Sequence, residues 1–215
     1  MKKIYISKDA DVQLTDYLTA QGYALEYIHS EGVVDEAIAN HPDVFLCKMG
    51  IEENAPIFFA EKSDLGWDYP AEAAFNAACT GKFFIHNLSC TNQRLLQAAK
   101  NMDMELIDVR QGYTKCSVVI VDEHSIITYD EGIVRACSKY PDLNVLKVSP
   151  GFVKLDGYDT GFIGGTSGRV GDEIIFHGDL FVHPDFQRIV SFIEKRGLTC
   201  RWFSDFKLTD IGSIL

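Results

Sequence analysis

Val109–Lys115 reads VRQGYTK and Val148–Lys154 reads VSPGFVK, sharing valine, glycine, an aromatic and lysine at the same offsets. The segments leading into both strings match as well. KFFIHN, TNQRLLQAAKNM and MELIDV precede the first, and SIITYD, EGIVRACSKY and LNVLKV precede the second. Each triplet reads as strand, helix, strand, because apolar residues recur at helical spacing only in the middle segment: Leu95, Ala98, Ala99 and Met102 in one, Ile133, Ala136, Cys137 and Tyr140 in the other. Duplication of a whole strand-helix-strand unit constrains the fold more than any composition does, since such a unit cannot bury its apolar face alone and must stack on its copies.

The plan extends in both directions. KIYIS, DVQLTDYLTAQG and YALEYIH open the chain, with Gly22 placed to end the helix. EIIFHGD, HPDFQRIVSFIEKRG and LTCRWF follow near the end, where Phe186, Ile189, Val190 and Ile193 share a face, Pro184 suits the first turn and Gly197 the stop. Asp130 is placed to cap the helix after SIITYD. Apolar segments follow each tail, SVVIVD from Ser117 and GFIGG from Gly161, both read as strands, and FKLTDIGSIL closes the chain in the same manner. The irregular stretch Ile51–Gly81, with its strand-like IFFA, counts as a modified unit. Five units result, roughly 1–50, 51–81, 82–122, 123–170 and 171–215, with starts about 40 to 50 residues apart except at the shorter modified unit, in one α/β domain.

Charge and cysteine content narrow the partners. A formal net charge of −11 repels phosphate backbones and anionic lipid, so neither nucleic acid nor a membrane surface is an expected partner. No run of about twenty apolar residues exists to span a bilayer, and the apolar stretch after the first lysines is too short for an export signal, so the expected location is cytoplasmic. Cys47, Cys79, Cys90, Cys116, Cys137 and Cys200 form no CxxC pair and are read as reduced and mostly buried. His29, His41, His86, His124, His177 and His183 are scattered without metal-ligand spacing, so neither a metal nor another cofactor is expected. Gly164, Gly165, Gly168 and Gly171 fit a hairpin better than a phosphate loop, because two strands flank them and no helix follows.

In unit order, and in the strings GYTKCSVVIVDEHSIIT, GYDTGFIGGTSGRVGDEIIFHGD and LTDIGSIL, the chain resembles the penteins, the fold family of the guanidino-group-modifying enzymes. Its DYPAEAAFNAACTGKFFIHN segment is most similar to a bacterial group of short proteins named for that fold (GME fold) rather than for an activity. The resemblance implies a five-bladed pseudo-symmetric α/β propeller whose turns converge on a central funnel. In the family's deiminases, hydrolases and amidinotransferases, it implies a cysteine nucleophile, a proton-handling histidine and carboxylates that hold a cationic group. Other penteins, such as the ribosome anti-association initiation factor, act by contacting a partner.

Two of those participants are absent from their matching positions. The closing turn Leu208–Ser213 has no cysteine, and Gly161–Gly165 has no histidine. Cys116, in the similar string TKCSVV, is the candidate nucleophile, with Asn76 where a preceding module's histidine would stand. Asp210 either holds a cation or caps its own glycine turn. Trp67, Asp68 and Glu72 set an aromatic beside carboxylates, a combination that binds cations or simply forms an exposed turn at the start of a helix from Pro70. Asn76, Asn87 and Ser213 are further candidates for the funnel lining. The leading expectation is a small cationic or amino, guanidino-like compound bound without covalent turnover. The alternatives are an amidinohydrolase or deiminase-like enzyme using Cys116 or Asp210, which would act on a C–N bond, and a protein-interaction module.

Overall fold

The computed structural model describes residues 2–30 and 32–215. Strand β1 (Lys3–Ser7), helix α1 (Val12–Ala20) and strand β2 (Ala24–Ile28) form the first unit, its two strands paired in parallel. Asp11 caps α1 by accepting from the Gln13 N–H, and Gly22 at φ 85° ends it. A short helix α2 (Pro42–Phe45) feeds β3 (Leu46–Lys48), which pairs antiparallel with β4 (Ile57–Phe59).

Three fuller units follow, each a three-stranded sheet. Strand β5 (Ala78–Cys79) is antiparallel to β6 (Phe83–His86), and helix α3 (Gln93–Asn101) crosses to the parallel β7 (Glu105–Asp108). After helix α4 (Thr114–Ser117), β8 (Val118–Asp122) pairs antiparallel with β9 (Ser125–Thr128), and helix α5 (Glu131–Cys137) leads to the parallel β10 (Asn144–Lys147). Strands β11 (Ser167–Val170) and β12 (Glu173–Phe176) make the last hairpin, and helix α6 (Phe186–Glu194) returns to the parallel β13 (Thr199–Arg201).

The protein is therefore a mixed α/β structure of several small sheets. The hydrogen bonding also moves the unit boundaries. SVVIVD does not end one unit but starts the next, since β8 pairs with β9, and the hairpin before α6 likewise begins at β11 and not at Gly171. A leading strand thus precedes each strand-helix-strand. For the first unit that strand comes from the far end of the chain: Tyr5 and Leu215 exchange backbone hydrogen bonds of 2.7 and 3.1 Å, as an antiparallel pair does.

Apolar burial follows the sheets. Ile189 and Ile193 of α6 pack with Val119, Ile127, Ile174 and Phe176, joining the fourth and fifth sheets. Ile133 and Cys137 of α5 join the third sheet to the fourth through Phe83, Ile107 and Ile126. Ile4, Ile6, Leu14 and Leu18 meet Ile175, Ile211 and Ile214, so the chain's two ends share one cluster. Full burial of each such side chain contributes about 1.5–3 kcal/mol, which is how helices of seven to nine residues, marginal alone, are held.

Three local expectations give way to turn chemistry. GFIGG is no strand: Gly164–Thr166 is a tight helical turn, and the strand starts at Ser167. The segment from Pro70 winds only one 3-10 turn, Ala71–Ala73, rather than a helix. Pro184 stays outside α6, whose N-terminal residue before the first turn is Asp185. Among the described residues, no helix is long and apolar enough to cross a membrane.

Candidate functional site

Each of the five leading strands is entered through a tight turn, and the five turns touch in succession. Asn76 Nδ2, ahead of β5, donates to Asp43 Oδ1 in α2 at 3.0 Å. The N–H groups of Thr114 and Lys115 in α4 donate to Asn76 O at 3.0 and 2.9 Å. Gly164 lies so close to α4 that a Cβ there would come within 2.4 Å of Lys115 O and 2.5 Å of Cys116 O. That contact explains why glycine stands where the resemblance led one to expect a histidine. Ile211 and Ser213 donate to Gly165 O at 3.1 and 2.8 Å, and Asp43 N–H donates to Gly212 O at 3.1 Å, returning to the first turn. Gly212 adopts φ 71°, and a Cβ on it would overlap His41, so the closing turn also needs a glycine.

The polar side chains of these turns share one buried cluster. Cys116 Sγ lies 3.2 and 3.1 Å from the two oxygens of Asp43 and 3.3 Å from Asn76 Nδ2, while Cys116 N–H donates to Asn76 Oδ1 at 3.1 Å. Lys115 Nζ donates to Ser213 Oγ at 2.8 Å, and Ser213 Oγ donates to Asp43 Oδ2 at 2.6 Å, so the ammonium reaches the carboxylate through one hydroxyl. Donor atoms of His41, Asp43 and Cys116 all lie within 4.8 Å of one another.

Burial governs the protonation of this cluster. It raises the Asp43 pKa, against the opposing charges of His41 and Lys115. Burial also lowers the Lys115 and His41 pKa values. The Cys116 thiol is held well above its usual range by burial and then by the negative charges of Asp43 and Asp210, so in this state it is the thiol and a poor nucleophile. Asp210 is buried and its pKa rises to about 6, yet both of its oxygens are occupied: Oδ2 accepts from Phe162 N–H at 2.9 Å and Oδ1 from Gly212 N–H at 3.0 Å. It caps its own turn, as aspartate before glycine commonly does.

Above the cluster stands an aromatic wall. Tyr113 and Phe162 have ring centroids 6.3 Å apart, Phe162 stacks on Tyr129 at 5.9 Å, and Tyr69 lies 5.7 Å from Tyr113. Glu72 is buried against this wall. Its Oε1 accepts from Tyr113 Oη, and its Oε2 has no hydrogen-bond partner among the described residues. Burial raises the Glu72 pKa, and the charges of Asp35 and Asp68 act in the same direction. Beside His41 and Asp210 opens a cleft of about 470 Å³, where Asp9, Asp11, Glu36 and Asp156 outnumber Lys154 and Lys207.

The sequence candidates therefore divide. Asn76, Cys116 and Ser213 meet in one place, with Asp210 facing His41 at 3.8 Å and Glu72 in the wall above. Trp67 is 52% exposed and Asp68 is exposed, so they belong to the surface around Glu72 and not to the cluster. Asn87 caps a turn through Ser89 and Arg110 and does not reach the cluster's hydrogen bonds. His86 is buried between Thr91 and Gly112, and His177 is tied to Asp11 N–H and Thr209 O. His41 and Asp43 are the residues that sequence reasoning missed as site members. The signal was positional: His41–Pro42–Asp43 stands ahead of its strand as Tyr113–Cys116 stands ahead of β8.

No curated protein and no solved structure matches the chain. A family model described as a family of unknown function, DUF6873, matches residues 51–215, a stretch that takes in Glu72, Asn76, Lys115, Cys116, Asp210 and Ser213 but starts after His41 and Asp43. With more than half of its length covered by that model, this chain belongs to the DUF6873 family.

Proposed function

We propose that the chain is a pentein-fold protein, its five sheets set as the blades of a pseudo-symmetric α/β propeller, that binds a small cationic or amino compound in the funnel above the five turns. The observation that carries this reading is Glu72 Oε2, a carboxylate oxygen buried beside Tyr113 without a hydrogen-bond partner among the described residues. An unsatisfied buried acceptor is costly, and a guanidinium or ammonium group satisfies it with a charge-assisted hydrogen bond while the rings of Tyr113 and Phe162 face its charge. The acidic cleft beside His41 and Asp210 gives such a cation an attractive approach. The raised thiol pKa of Cys116 favours binding without covalent turnover.

A thermal-shift panel of arginine, agmatine, polyamines and amino acids tests the reading. At ten times its dissociation constant a ligand stabilises by about 1.4 kcal/mol, which a domain of this size reads as roughly 3–6 °C. The same compound is expected to give no shift with Glu72→Gln, which keeps the shape and removes the charge. A flat panel with the unsubstituted protein overturns the reading and leaves the partner-contacting alternative.

A second reading, a C–N hydrolase or transferase, rests on Cys116 Sγ lying within 3.2 Å of both Asp43 oxygens. A cation docked in the funnel opposes the burial that keeps the thiol protonated, so Asp43 is placed to take its proton. An alkylating probe with a guanidine-like head is then expected to label Cys116 ahead of the half-buried Cys90 and Cys200. Labelling of Cys90 and Cys200 alone removes the enzyme reading.

A further inference from the structure

We propose that the His41 imidazole, the Asp43 carboxylate and Cys116 Sγ form a binding site for a zinc-like divalent transition-metal ion, which goes beyond the funnel reading. The three donors are an imidazole, a carboxylate and a thiol, the set that such ions prefer over magnesium or calcium. They come from two turns that the chain holds rigidly together through Asn76.

His41 Nδ1 supplies the independent observation. The residue is 4% exposed, and Nδ1 has no hydrogen-bond partner among the described residues. Its nearest carboxylate oxygen, on Asp210, is 3.8 Å away, beyond hydrogen-bond reach.

The distances suit the ion with a small adjustment. Zinc bonds of 2.0–2.3 Å at tetrahedral angles put neighbouring ligand atoms about 3.3–3.6 Å apart. Asp43 and Cys116 already lie at 3.1 and 3.2 Å, and a His41 ring nitrogen, within 4.8 Å of both, has to close by about 1.2–1.5 Å at most to reach that spacing. Outer contacts are in place: Asn76 Nδ2 donates to Asp43 Oδ1 and Ser213 Oγ donates to Oδ2, the kind of support that orients a carboxylate toward a metal.

Charge favours occupancy as well. Binding breaks the Cys116 S–H bond, forms a sulfur–metal bond and releases the proton to solvent. Two carboxylates and one thiolate then balance a divalent ion together with the buried Lys115 ammonium. Three protein ligands leave one tetrahedral position for water or a bound compound.

The test is a titration of the chelator-stripped full chain with cobalt(II). One equivalent is expected to produce a thiolate-to-cobalt charge-transfer band and intense tetrahedral ligand-field bands, both displaced by zinc. Cys116→Ser is expected to abolish the charge-transfer band and weaken affinity about a hundredfold. His41→Gln, which keeps the thiolate, is expected to weaken affinity similarly while retaining the band at saturation. Folding of each variant is checked by circular dichroism, so a variant that unfolds leaves the other to decide. Cys90→Ser and Cys200→Ser are expected to behave as the unsubstituted protein. No band at one equivalent, a band that survives Cys116→Ser, or one lost only with Cys90 or Cys200 overturns the proposal. The funnel reading is tested on stripped protein through Glu72, so either can fail alone.

Discussion

Asp43→Ala is expected to destabilise the protein by about 3–5 kcal/mol, read as a fall in the urea midpoint at unchanged slope. Asp43 accepts from Asn76 Nδ2, Ser213 Oγ and the Cys116 thiol, and it is the anion nearest the Lys115 relay. Removing it takes the carboxylate acceptor from the Cys116 thiol, leaves Asn76 Nδ2 with only the Cys116 sulfur at 3.3 Å and Ser213 Oγ with only Gly164 O at 3.2 Å, and removes the main counter-charge of a buried ammonium. Such losses carry a desolvation penalty rather than only the small net worth of a hydrogen bond. The turns ahead of β3, β5 and the closing segment all meet at this side chain, so local relaxation has little room. Lys115→Met in the same chain is expected to recover part of the loss, because it removes the charge that Asp43→Ala strands. A single-variant change under about 1 kcal/mol, or strict additivity in the double variant, would show that Asp43 is not the hub its contacts indicate.

Much of the fold was legible because its units are locally consistent. The faces of α3, α5 and α6, the cap at Asp130 and the stop at Gly197 are set by residues within one turn of the element they define. What could not be read was set by distant neighbours. GFIGG has the apolar content of a strand, yet Gly164 must pass beside the carbonyls of Lys115 and Cys116, and only the folded chain shows that approach. The pairing of Leu215 with Tyr5 likewise depends on the two chain ends meeting, which no window of sequence contains.

The site shows the same limit more sharply. His-Pro-Asp occurs twice, at His41–Asp43 and His183–Asp185. The second copy is occupied in ordinary structure: Asp185 accepts from Ser149 N–H and pairs with Arg188 at the start of α6, and His183 Nε2 bonds Ser149 O. The first copy enters a leading strand, so its carboxylate turns into the polar cluster and its imidazole Nδ1 has no hydrogen-bond partner among the described residues. The tripeptide is identical, and the difference lies in which turn it occupies. Cys116 was singled out by its string, but its partner Asp43 carries no string at all.

Asp210 and His86 are expected to set opposing pH dependences of stability over nearly the same interval. Burial raises the Asp210 pKa from 3.8 to about 6, outweighing its two backbone donors and the Lys115 charge. The native state thus binds this proton more tightly than the unfolded chain does. The resulting stability is fully present below about 3.8 and is lost as pH rises through about 6. His86 has its pKa lowered by burial from 6.5 to about 4. Its contribution has the other sign, fully present above about 6.5 and lost as pH falls through about 4. Each shift corresponds to roughly 3 kcal/mol, so between pH 4 and 6 the two cancel to first order. Asp210→Asn removes one side of that balance. The variant carries a constant offset, because the amide cannot accept from both Phe162 and Gly212 N–H groups, but its slope is the informative quantity. Urea unfolding at the two ends of this interval is expected to show the variant gaining about 3 kcal/mol more than the unsubstituted protein on going from pH 4 to pH 6. Parallel curves would mean that Asp210 is ionised throughout, and that the backbone donors and Lys115 together overcome its burial.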